Sequence, residues 1–97
     1  MASQHNYYVY MVAGYMGALY TGMTRDIQAR IDHHQNGLGN GFSAKYQTTK
    51  LVWCEITDSL ETAREREAQI KRWRRSKKAY LIELENPYWE DISTRVI

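Results

Sequence analysis

The sequence predicts a small α+β domain, and three observations lead there. The stretch "YYVYMVAGYMGALYTG", Tyr7 to Gly22, places bulky aromatic and aliphatic residues on both sides of Gly14 and Gly17, the pattern of a β-hairpin. From Thr24 to Asn36 the apolar residues fall instead at helical spacing. A compact apolar run, "LVWCEI" from Leu51 to Ile56, then reads as a third strand and is followed by a long helical stretch. At 97 residues, with 43% hydrophobic and 25% charged, the chain is expected to form one domain around a single core, about residues 6–85 with a short C-terminal tail.

Composition excludes some functions and permits others. No apolar run is long enough to span a bilayer, so no membrane role is expected. Met1 to Asn6 lacks the basic start and apolar stretch of a secretory signal, and Cys54 has no second cysteine to pair with. A cytoplasmic, reducing setting and a monomer are the expectation. The net charge is only +2, but six of the eight residues in "KRWRRSKK" are basic: Lys71, Arg72, Arg74, Arg75, Lys77 and Lys78. Interleaved with Trp73, they suit a nucleic-acid backbone, because basic side chains release condensed counterions on binding. Taken alone, the run is equally consistent with a solvated helix face.

Each element has its own signals. Tyr7–Ala13 reads as the first strand and Ala18–Gly22 as its return. A loop of three or five residues centred on Tyr15 would set Tyr10 directly opposite Tyr20, both phenols on one face; a loop of two or four would put them on opposite faces. Thr24 is a suitable helix cap, Asp26 falls in the first turn, and Asn36-Gly37 is a stop signal. Ile27, Ile31 and His34 share a stripe, with Arg30 about sixty degrees off it and one turn from His34. The glycine-rich "NGLGNGF" at 36–42 lacks the GxxxxGK[ST] of a phosphate cradle. Asp58-Ser59 starts the next helix, in which Ala63, Ile70 and Leu81 fall on one line and Glu67 lies beside it. A carboxylate there needs an ion-pair partner, such as Lys71 four residues on, or a metal. Ser76 is the expected break, with a short helix near Lys77 to Leu84. Asn86-Pro87 then turns the chain so that Tyr88 and Trp89 pack the tail on the body.

Together these residues resemble the GIY-YIG endonuclease superfamily. "YVY" at Tyr8 to Tyr10 and "YTG" at Tyr20 to Gly22 are similar to its paired signature, with Tyr8 in place of the first glycine and Thr21 in place of an isoleucine. Arg30 in "DIQARIDHH" matches the family's catalytic arginine, and His34 a position often filled by His or Tyr. Glu67 in "ETAREREAQIKRW" is similar to its metal-binding glutamate, and Asn86 is matched to an Asn that follows the glutamate helix. The likeness covers nearly the whole chain and is closest to small stand-alone bacterial members.

The resemblance implies a small three-stranded antiparallel sheet flanked by helices and a metal-dependent endonuclease acting on DNA rather than RNA, directed by structure more than by sequence. Glu67 would hold one Mg2+ or Mn2+, Arg30 would face the phosphate, and Tyr10, relayed to His34, would act as the base while Tyr20 orients the water, the two phenol roles being exchangeable. Two other classes fit the same chain: a weak or inactive nucleic-acid-binding module of this fold, and a protein-interaction domain using the aromatic hairpin.

Overall fold

The computed structural model describes residues 6–14, 17–36 and 50–96, the side chains at 34–36 and 96 excepted. Tyr15, the glycine-rich 37–42 segment and the first five residues, on which several expectations bear, lie outside the described residues. Strands β1 (Tyr7–Ala13), β2 (Leu19–Thr24) and β3 (Lys50–Thr57) form an antiparallel sheet in the order β2-β1-β3. The helices are α1 (Ile27–Asn36), α2 (Leu60–Lys71), α3 (Arg75–Glu85) and the short α4 (Ser93–Val96). The α+β class and the three-stranded antiparallel sheet are as the sequence predicts. No helix among the described residues is long and apolar enough to cross a membrane.

β1 is central and covered on both faces, which is why it reads as nearly continuous apolar sequence. Tyr10 and Val12 pack with Ile27 and Ile31 of α1 and with Leu51. Val9, Met11 and Ala13 point the other way, toward Ala63 and Ile70 of α2 and Ile82 of α3. A register irregularity between Met11 and Val12 opposite β3 places Val52 and Trp53 in this second cluster together.

The tail closes the exposed edge of β3. Ile92 N donates to Leu51 O at 2.8 Å, and Leu51 N donates to the Asp91 carboxylate at 3.3 Å. Edge groups that would otherwise remain open to another chain are thereby occupied. The turn into the tail carries Trp89 at φ 54°, a left-handed conformation unusual for a side chain of this size. Its indole holds it there: Nε1 donates to Glu83 Oε2 at 2.7 Å, and the Arg75 guanidinium carbon lies 5.8 Å from the ring centroid.

Several boundaries differ from the sequence expectation. Asp26, not Thr24, caps α1: its carboxylate accepts from Ala29 N at 3.0 Å, while Thr24 Oγ1 accepts from Asp26 N at 3.0 Å and so braces the cap. Ser59 caps α2 as expected, accepting from Thr62 N at 3.1 Å. The helix break falls at 72–74 rather than at Ser76, and Ile82, not Leu81, is the fully buried residue of α3.

Candidate active site

The hairpin register decides how the two phenols meet. β1 and β2 pair Tyr10 with Gly22 and Val12 with Tyr20, so the direct opposition that a loop centred on Tyr15 would give is replaced by a register offset by two residues. The loop closes later than expected, with Gly14 N donating to Ala18 O at 2.8 Å and Gly17 in the left-handed region at φ 78°, where glycine is the unstrained choice. Parity is preserved, because a two-residue shift keeps both rings on one face. Tyr10 and Tyr20 become diagonal neighbours, with centroids 6.2 Å apart and planes tilted by 40°.

Gly22 makes this arrangement possible. A Cβ there would lie 2.6 Å from Tyr10 Oη, 2.7 Å from its Cζ and 2.8 Å from Tyr20 Cε1. No real side chain tolerates such contacts, so the absence of one lets the Tyr10 ring lie across β2. The sequence quotes Gly22 within "YTG", but its role follows only from the register; the available signal was a glycine inside a strand, which often marks the close approach of another group.

The phenols have different surroundings. Tyr10 is 1% exposed and Tyr20 is 47% exposed. Burial pushes the Tyr10 hydroxyl well above the ordinary phenol range, with further upward contributions from Tyr20 and Glu67, while the Arg30 guanidinium pulls it down. Charges from α1 and α2 thus both act on this phenol.

Glu67 reaches the pair from α2. Ala63 and Ile70 face the sheet, and Arg66 leans over β3, where its Nε donates to Glu55 Oε1 at 3.0 Å. One residue further, about 100° around the helix, Glu67 lies on the other side of that seam, toward β2. Its side chain is 23% exposed, and Oε2 stands 2.9 Å from Lys71 Nζ. The hydrogen bond to Glu67 holds the Lys71 ammonium above its ordinary pKa against opposing desolvation, and Tyr20 adds to the rise. The carboxylate at the seam is therefore half-buried and paired.

Of the residues matched to a chemical role, Tyr20 is the ring neighbour of Tyr10, and Arg30 and Glu67 both act on Tyr10 through their charge. Arg30 is an exposed residue of α1, the helix that packs on the face carrying Tyr10. His34 belongs to the same helix, and its side chain is outside the described residues. Asn86 is built into the β3 side of the sheet. It is 5% exposed, and its Nδ2 donates to Val52 O at 3.0 Å and Glu90 O at 2.9 Å while its Oδ1 accepts from Glu90 N at 2.9 Å. Both amide hydrogens are used in tying α3 and the tail to β3, across the sheet from β2.

The basic run also divides. Lys71 is held by Glu67, the Arg75 guanidinium donates to Gly17 O, and Lys77 Nζ lies 4.4 Å from the Trp73 ring centroid. Arg72 and Arg74 sit in the break between α2 and α3; their backbone groups close the helix ends, Arg72 N donating to Gln69 O and Arg74 O accepting from Lys77 N, while their side chains are exposed.

The donor set around Glu67 is one carboxylate with phenol hydroxyls nearby, and the described residues contain no cluster of three or more His, Cys, Asp or Glu. Hard oxygen donors fit a magnesium-like cation that keeps most of its waters, and do not fit a soft metal.

Two neighbouring tyrosines on the sheet, an arginine on one flanking helix and a glutamate on another mark the candidate site of this small α+β domain. The chain belongs to the GIY-YIG family: the model of the GIY-YIG catalytic domain matches residues 6–80. It is 40% identical over 76 residues to a UPF0213 protein of Staphylococcus saprophyticus, covering 78% of this chain and 93% of that one. A UPF0213 protein of Staphylococcus aureus is 35% identical over 77 residues, covering 79% and 94%. The solution NMR structure of the UPF0213 protein from Bacillus halodurans superposes with a TM-score of 0.61 at 31% identity, covering 92% of this chain and 95% of that one.

Proposed function

We propose that this protein is a metal-dependent endonuclease that hydrolyses phosphodiester bonds in DNA, acts in the cytoplasm as a monomer, and selects substrates by shape more than by base sequence. The observation that carries this reading is the convergence of Tyr10, Tyr20, Arg30 and Glu67 from β1, β2, α1 and α2, the first residue sensing the charges of the others. Glu67 would hold Mg2+ or Mn2+; when bound, such an ion polarises the phosphate and stabilises the departing oxygen.

The remaining steps belong to the chain's own residues. Arg30, exposed at the rim, places a guanidinium against the non-bridging oxygens and stabilises the charge that builds on them. The two tyrosines take the exchanged form of their roles. Tyr10 is buried and holds its proton tightly, so it is a poor acceptor for a proton from water. Tyr20 is half exposed and reachable by both water and substrate, and therefore meets the nucleophile. Tyr10 donates to Tyr20 and fixes its orientation. Arg72 and Arg74, at the helix break, extend the positive surface along the phosphate backbone, and contacts of that kind position the nucleic acid without specifying bases.

One observation favours a second reading. The 2.9 Å contact between Glu67 and Lys71 is also that of an ordinary helix-surface ion pair, as a binding module without catalysis would have. Incubating the protein with labelled single-stranded, duplex and branched DNA, with and without Mn2+, separates the two. Mn2+-dependent shortening of any substrate is the expected result. Retarded but intact DNA under all conditions would establish the binding module instead.

A further inference from the structure

Lys71 is the last residue of α2, and the chain leaves the helix immediately after it. Arg72 and Arg74 follow the chain away from the helix, whereas the Lys71 side chain turns back one turn to Glu67, with Nζ 2.9 Å from Oε2. Glutamate four residues before lysine is the favourable order for such a pair on a helix. No other ion-pair partner of Glu67 exists among the described residues. The carboxylate matched to the metal therefore already carries a cation, supplied by the protein.

We propose that Lys71 is a built-in competitor for Glu67: its ammonium occupies the carboxylate in the metal-free protein, competes with the divalent ion for it, and moves away when the ion binds. This rests on the reading of Glu67 as the metal-holding residue. Two effects act in the same direction. The ion must break the Glu67–Lys71 contact, and a nearby ammonium repels a divalent cation. Both weaken metal binding to the free protein. The displaced ammonium stays within electrostatic reach of Tyr20, where a phosphate bound beside that phenol would compensate for the lost carboxylate contact.

The test is direct titration of the free protein with Mn2+, read by the loss of the free-ion electron paramagnetic resonance signal and independent of cleavage. Lys71→Met should bind Mn2+ roughly threefold to tenfold more tightly than wild type, the scale of one helix ion pair plus a like charge a few ångströms away. Lys71→Arg, which keeps the charge, should titrate as wild type does. Glu67→Gln should lose the site in either background. Lys71 is half exposed, so its removal leaves the core alone, and Lys71→Ala serves as a second variant if the Met form is unstable. Unchanged or weaker Mn2+ binding in both Met and Ala variants, with Glu67→Gln still losing the ion, would overturn the role of Lys71 and leave the metal reading intact. A Glu67→Gln protein that titrates like wild type would overturn both, as would a failure of wild type and Lys71 variants alike to bind Mn2+.

Discussion

Gly22 lies directly opposite Tyr10 in the β1–β2 ladder, and a methyl group on it would sit 2.6 Å from the Tyr10 hydroxyl oxygen. The glycine of the second half-motif is thus the floor on which the tyrosine of the first half lies. Gly22→Ala must push both rings aside, and overpacking of this kind costs roughly 1–3 kcal/mol. We expect a lower urea midpoint with an unchanged slope, and DNA cleavage reduced by more than the loss of folded protein explains. A Gly22→Ala protein with wild-type stability and turnover would mean that the rings have somewhere else to go.

The phenols themselves are tested by Tyr→Phe, which keeps the ring and deletes the hydroxyl. Tyr20→Phe should lower single-turnover cleavage at saturating Mn2+ by roughly a hundredfold or more, the scale of lost acid–base catalysis. Tyr10→Phe should lower it less, because Tyr10 acts through Tyr20. Tyr7→Phe and Tyr8→Phe should cleave almost normally. The reverse order, with Tyr10→Phe the more severe, would restore the buried phenol as the base; equal mild effects at all four positions would reduce the hairpin to packing.

Much of this site was readable before the structure because local chemistry and global fold agree there. β1 was recognisable from its aromatic and β-branched residues and the start of α2 from Ser59, whereas parity left the two phenols on one face or on opposite faces until the register decided it. Other features depend on long-range geometry. The two-residue offset that brings Gly22 under Tyr10 is set by how the loop closes at Gly17, which the strand pattern does not encode. Thr24 and Asp26 are both good caps, and only the end of β2 decides between them. No glycine or proline marks the break at 72–74, so Ser76 was the nearest visible signal. Asn86-Pro87 announced a turn correctly, but the destination of the Asn86 amide depends on Val52, which is 34 residues away in sequence.

That amide supports a prediction separating structure from catalysis. Asn86→Ala removes two donated hydrogen bonds and one accepted, leaving Val52 O inside the fold without its partner. The loss should be roughly 1–3 kcal/mol in chemical denaturation. Cleavage per folded molecule should be unchanged. A stable Asn86→Ala protein with impaired cleavage would return Asn86 to the active site.

Alkaline pH should reveal two weak acids on this face, the buried Tyr10 and the half-buried Cys54. Burial, with a smaller effect from Glu55, pushes the Cys54 thiol up to about 12 from an ordinary 9.0, and the Tyr10 phenol rises from 10.0 in the same direction. Both groups are protonated in the folded and unfolded chain below about pH 8, so their contribution to stability is fully present there. Above that the unfolded chain ionises first, and stability falls as pH rises toward the folded values. Urea midpoints should therefore decline from about pH 8 upward, and less steeply in Cys54→Ala once its lower starting stability is subtracted. In native protein at pH 8, Cys54 should react slowly with a disulfide reagent and quickly after denaturation. Rapid native labelling would contradict the raised thiol pKa.

The basic run is expected to divide as its contacts divide. Arg75 is committed within the fold, to Gly17 O and to the Trp89 ring, whereas Arg72 and Arg74 stand exposed at the break between α2 and α3. If the break follows the phosphate backbone, Arg72→Gln and Arg74→Gln should each flatten the slope of log affinity against log salt by roughly 1, equally for unrelated sequences, and leave the melting temperature alone. Arg75→Gln should act differently, because it releases the hairpin loop from α3 and loosens the left-handed turn at Trp89. Its melting temperature should fall while its salt slope stays near that of wild type. The measurement is a salt titration of DNA binding without divalent metal, so that cleavage does not intervene. A slope that ignores Arg72 and Arg74 but responds to Arg75 would place the nucleic acid on the hairpin side of α3 instead.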